Sequence, residues 1–137
     1  MAVDIAKKYR LQLVIVMKKT LIILAHAMAG WILCGLTMGL GMGLLSLTTA
    51  LIIHAIAAPL FFILLSWVYF KKFSFTTPLE TAIIFVAFVI FMDVFIVAAV
   101  IERSAKMFES FLGTWLPFLL IFLSTWKTGS VIKHRIS

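Results

Sequence analysis

Thr81 to Ile101 reads TAIIFVAFVIFMDVFIVAAVI, twenty-one residues with a single formal charge, Asp93, near the middle. A run of that length and polarity matches the hydrocarbon core of a bilayer, which takes about 20 helical residues at ~1.5 Å each to cross. An ionised carboxylate inside hydrocarbon costs at least ~2.5–3.5 kcal/mol on the most lenient insertion scale. Asp93 must therefore be neutral, paired or in contact with water, and the rest of the chain has to meet that requirement.

Composition points the same way. Of 137 residues, 64% are hydrophobic and only 12% charged, and the mean hydropathy is +1.21. A soluble domain needs a solvated surface, and a chain this short has too little interior to hide so many apolar side chains. The formal net charge of +7 raises the question of nucleic acid. The bases lie in short clusters at the ends of apolar runs, however, as in membrane topology signals, so no nucleic-acid partner is expected. A single cysteine, Cys34, allows no internal disulfide.

Taken in order, residues 1–19 form a basic N-terminal segment with Lys7, Lys8, Arg10, Lys18 and Lys19. A surface-lying amphipathic helix there is weakened by the β-branched Val14, Ile15 and Val16. The stretch MKKTLIILAHAMAG from Met17 imitates a secretory signal, but its apolar run continues to about Leu40, so it is expected to stay uncleaved as a first span, 20–40. Met17 is also a candidate alternative start. Gly35, Gly39 and Gly43 lie four apart on one helical face, which suits a close helix–helix seam; alternatively Gly39, Gly41 and Gly43 form a flexible exit turn. Ser46 is placed to cap a second span, 47–70, which contains His54 and Pro59 and a kink expected at the proline. Thr77-Pro78-Leu79-Glu80 carries the capping-box pattern with proline at the first helical position and opens a third span, 80–101. A fourth, 107–126, is interrupted by Gly113 and Pro117, and residues 128–137 read as a basic tail.

The expected fold is thus all-α: one membrane domain, 20–127, forming a four-helix transmembrane bundle in the cell (inner or plasma) membrane, with the bilayer as its first partner. Counting Lys and Arg on each side places both termini in the cytoplasm, N-in and C-in. Four short spans enclose little interior, so a homo-oligomer or a partner membrane protein is expected.

Folding each hairpin about its turn puts His54 level with Leu33 and Cys34, His26 level with Phe61, and Asp93 level with Ile56 and Ala57, within a turn of His54. Asp93, His54 and Cys34 are the candidate proton or ion site, with Thr114 near its outer mouth; His26 is a second intramembrane polar group, deeper on the cytoplasmic side. An imidazole donating to the carboxylate would satisfy both groups, serving either as a functional site or as helix glue. A metal held by His54, Asp93 and Cys34 lacks diagnostic spacing. A haem between His26 and His54 is disfavoured by their difference in depth of ~10 Å. No cofactor is expected on balance. With no nucleophile beside a base, no phosphate loop and no acid pair, the sequence points away from an enzyme.

The stretches LTTALIIHAIAAPLFF, FTTPLETAIIFVAFVIFMDVFIVAAVIERS and MFESFLGTWLPFLLIFLST resemble an uncharacterised family of small four-span prokaryotic integral membrane proteins, over roughly Leu21 to Gly129. The resemblance implies a prokaryotic inner membrane and brings no activity, cofactor or partner; the long start before Met17 departs from it. The function expected is a small proton- or cation-handling transporter or channel-like protein, with an accessory or scaffold subunit and a haem-binding redox protein as alternatives.

Overall fold

The computed structural model describes residues 1–137 and contains helices and turns but no strand. Helix α1 runs Ala2–Leu44, α2 Leu47–Lys72 and α3 Pro78–Met92; α3 continues as a π-helical stretch, Asp93–Ile101. A 3-10 turn at Lys106–Glu109 and a π-helical turn at Phe111–Trp115 lead into α4, Leu116–Ile136. Four helices, counting the stretches Pro78–Ile101 and Phe111–Ile136 whole, are long and apolar enough to cross a membrane.

Three boundaries differ from the sequence expectation. The basic segment 1–19 is no separate surface helix but the exposed first part of α1, which is 43 residues long, or ~64 Å. Val14, Ile15 and Val16 do not break it, since each costs only a few tenths of a kcal/mol in a helix already nucleated on both sides. The glycines do not form an exit turn either: α1 passes through Gly39, Gly41 and Gly43 and ends where Leu45 adopts an extended backbone. The fourth span begins later than 107. Ser110 is extended and accepts from the Gly113 N–H at 3.0 Å, and Pro117 falls where the π-helical turn Phe111–Trp115 passes into α4. Most of the basic tail is consequently helix, through Ile136.

The predicted caps are in place. Ser46 accepts from the Thr49 N–H at 3.3 Å and starts α2. At α3 the capping box is complete: Thr77 Oγ1 accepts from the Glu80 N–H at 3.2 Å, and the Glu80 carboxylate accepts from the Thr77 N–H at 2.8 Å. Pro59 lies inside the continuous α2.

Packing sets the arrangement. α1 packs on α2 and α3, and α4 packs on the same two, so the consecutive helices α2 and α3 face each other across the bundle. Phe62 and Phe85, both fully buried, meet edge-to-face on that diagonal with centroids 5.6 Å apart, and Tyr69 adds a second contact to Phe85 at 6.3 Å. This aromatic centre is admitted by two glycines. A Cβ on Gly30 would stand 2.4 Å from the Phe62 ring, and one on Gly129 would stand 2.5 Å from Phe70 and 3.0 Å from Pro78. At the end of the bundle carrying both termini, a hydroxyl chain ties the α2–α3 loop down. Thr81 donates to the Thr77 carbonyl at 2.8 Å, which leaves Thr76 to donate to Thr81 at 2.7 Å and Tyr69 to Thr76 at 2.9 Å. Lys133 of α4 donates to the Thr76 carbonyl at 3.1 Å.

Candidate functional site

Asp93 stands where α3 turns from α-helical to π-helical bonding. Its own N–H reaches both Ile90 and Val89 carbonyls, while eight residues on, at Ile101, the stretch ends with Glu102 N–H bonded to Val97 at 2.8 Å, an i to i−5 bond. Short π-helical segments are rare and recur at functional sites. The carboxylate is half-buried and accepts one hydrogen bond, from the indole Nε1–H of Trp31 on α1, at 2.9 Å. This bond crosses the α1–α3 contact and leaves Oδ2 without a protein donor.

His54 does not reach Asp93. It is buried on α2, and its Nδ1 has no hydrogen-bond partner. Two features of the packing explain the separation. α2 and α3 sit on a diagonal with α1 and α4 between them, and the α1–α2 register is about four residues away from the hairpin estimate. Gly30 lies against Phe62 and Gly41 against Ala50, which puts His54 level with Thr37 and Met38 instead of Leu33 and Cys34. The turn falls beyond the glycines, at Leu45 and Ser46, where α1 ends and α2 begins.

Cys34 is buried on the inward stripe of α1 formed by Ile23, Ala27, Gly30 and Cys34, one turn along from Trp31. Thr114, also buried, donates to the Met107 carbonyl at 2.6 Å and so braces the turn before α4. His26 lies far from His54. Its Nδ1–H donates to the Ile22 carbonyl at 2.8 Å, and its ring stands edge-on to Tyr69 and Phe73 at 5.6 Å each. Tyr69 is about four turns along α2 from His54, on the order of 22 Å, so the two imidazoles do not bracket one iron. No three His, Cys, Asp or Glu side chains converge as metal ligands anywhere in the chain.

The glycine seam also falls elsewhere than inside the bundle. Gly35, Gly39 and Gly43 have nothing within 4 Å of an added Cβ. Gly35 follows Cys34 directly and is rotated by about 100° from the inward stripe, which carries its whole i+4 series outward. The close approaches use Gly30, Gly41, Gly113 and Gly129 instead.

Trp31 is the site residue that sequence reasoning missed. Its signal was position: tryptophan concentrates at the edges of membrane spans, where its N–H meets water, and Trp31 sits in the middle of its apolar run. A half-buried indole there needs an acceptor, and Asp93 supplies it. Ser66 on α2 and Thr125 on α4 were also missed; both are fully buried with hydroxyls that find no partner.

Compared with known proteins, the chain matches no protein-family model, no curated protein and no solved structure.

Proposed function

We propose that this is a small multi-pass membrane protein in which Asp93 takes up and releases a proton or a monovalent cation within the bilayer. One observation carries the reading. The only hydrogen bond to the Asp93 carboxylate comes from a neutral indole, which orients the group but cannot neutralise it. No Lys, Arg or His of the chain meets it, so its charge is left to be met by a proton or cation from outside. The π-helical stretch that begins at Asp93 supports this, because π-helical turns are found frequently at functional sites.

The aromatic centre of Phe62, Phe85 and Tyr69 argues against a continuous pore along the bundle axis. The path to Asp93 accordingly runs along the α1–α3 contact, and the protein acts as a carrier or coupling element and not as an open channel. Both termini lie in the cytoplasm of a prokaryotic inner membrane in this reading, following the distribution of basic residues. His54, buried on α2 with an unpartnered Nδ1, stands apart from that path.

Reconstituted liposomes carrying an internal pH dye test this. Under a proton or cation gradient the wild type should conduct, and Asp93→Asn should reduce flux by about tenfold or more, as expected where an intramembrane carboxylate is the carrier group. Flux that survives Asp93→Asn unchanged refutes the proposal.

A second reading, an accessory subunit that works through helix contacts, is favoured by Gly35, Gly39 and Gly43. Three helical glycines with no neighbour inside the chain each cost helix stability relative to alanine, and a close partner helix would recover it. The absence of any flux in the wild type, together with a complex or dimer lost on Gly39→Leu, would decide for that reading.

A further inference from the structure

Sequence alone accounts for Trp67, Lys71, Lys127 and Arg135 as orientation signals at the ends of two spans. The fold adds something that those signals do not require: it brings them into one place. α2 and α4 run parallel, with Leu51 against Gly113 near one end and Phe70 against Gly129 near the other, so their C-terminal turns lie side by side. Between them is a groove of about 560 Å³.

Lys71, Lys127 and Arg135 line this groove together with the hydroxyls of Ser124 and Thr128, and no carboxylate is among its lining residues. Three cations held about one cavity repel one another unless an anion lies between them. Lys71 is steadied over the Trp67 ring at 5.1 Å to the centroid, which holds the ammonium at the groove wall. The groove is basic only toward the helix ends. Ile63, which also lines it, lies eight residues from Lys71 on α2, about 12 Å further into the span. A small free anion would use the cations and leave that apolar wall bare.

We propose that this groove is a binding site for an anionic glycerophospholipid of the leaflet facing the termini. Its phosphate sits among Lys71, Lys127 and Arg135, the glycerol region meets Ser124 and Thr128, and one acyl chain lies along Ile63 and Trp67. Basic pockets between helices at the cytoplasmic face have the charge and the depth that such headgroups need. The site is separate from Asp93 and does not rest on the proton or cation reading.

The full chain in phosphatidylcholine bilayers doped with brominated phosphatidylglycerol or brominated phosphatidylcholine provides the test. Tryptophan quenching lost on Trp67→Phe isolates the signal from the groove. That component should favour the phosphatidylglycerol probe on the order of tenfold, given three cations near the headgroup. The combined Lys71→Gln, Lys127→Gln, Arg135→Gln variant should abolish the preference, and Arg135→Gln alone, at the exposed end of α4, should lower it in part. Removing the same charge at Lys7, Lys8 and Arg10 should leave it intact. Equal quenching by both lipids, an equal loss from the N-terminal variant, or displacement of the lipid in detergent by millimolar inorganic phosphate would each overturn the proposal; the last would identify a free-phosphate site.

Discussion

Gly30→Ala compared with Gly39→Ala tests the packing of α1 on α2. The two substitutions lie on the same helix, add the same methyl group and gain the same helix propensity, so that term cancels in the comparison. At Gly39 the methyl meets nothing within 4 Å, whereas at Gly30 it lands 2.4 Å from Cζ of Phe62 and 2.8 Å from both Cε atoms. Ordinary carbon contacts are about 3.5–4.0 Å, so α1 and α2 must part by roughly 1.3 Å or Phe62 must turn. Phe62 has no room to turn, being fully buried against Phe85. Overpacking of this kind costs ~1–3 kcal/mol, and Gly30→Ala should therefore be less stable than Gly39→Ala by about that amount. Reversible unfolding in mixed micelles of rising dodecyl sulfate content, followed by circular dichroism with the chain monomeric, measures the difference. Two variants of equal stability within about 0.5 kcal/mol would show that Phe62 does not fill the Gly30 gap.

Trp31→Phe should destabilise the α1–α3 contact by ~1–2 kcal/mol in the same titration, since it leaves Asp93 without its donor; Trp31→Phe and Asp93→Leu together should cost less than the sum of the single changes. Thr77→Ala should cost about 1 kcal/mol by undoing the capping box at α3. Ser66→Ala and Thr125→Val should be neutral or slightly stabilising, because each removes a buried hydroxyl that has no partner. A loss above about 1 kcal/mol in either would mean that the hydroxyl is bonded. Tyr69→Phe, in contrast, should cost ~1 kcal/mol, since its hydroxyl opens the chain of bonds through Thr76 to Thr81.

How far the structure was legible in the residues varies with the range of the interactions involved. The caps at Ser46 and Thr77 were readable because they are made by residues three apart. The reach of α1 is not legible residue by residue, because helix propagation averages the small costs of Val14, Ile15, Val16 and the glycines over many turns. The π-helical stretch from Asp93 was invisible, since Val, Phe, Ile and Ala fit either bonding pattern. The partner of Asp93 was legible only in hindsight, through a tryptophan stranded in mid-span.

By itself the amino-acid sequence determined the class of the chain: all-helical, with four stretches that suit hydrocarbon and one carboxylate set among them. Those properties are local, following from how many apolar residues stand in a row and which residues bound them. Only the tertiary structure decided that Asp93 meets Trp31 while His54 stays alone, that Gly30 and Gly129 make the close contacts while Gly35, Gly39 and Gly43 face outward, and that three cations from two helices share a groove. Apolar helices present no pattern of charges from which to read their neighbours. Their order around the bundle is set by how bulky side chains such as Phe62 and Phe70 fit against glycines far away in the chain.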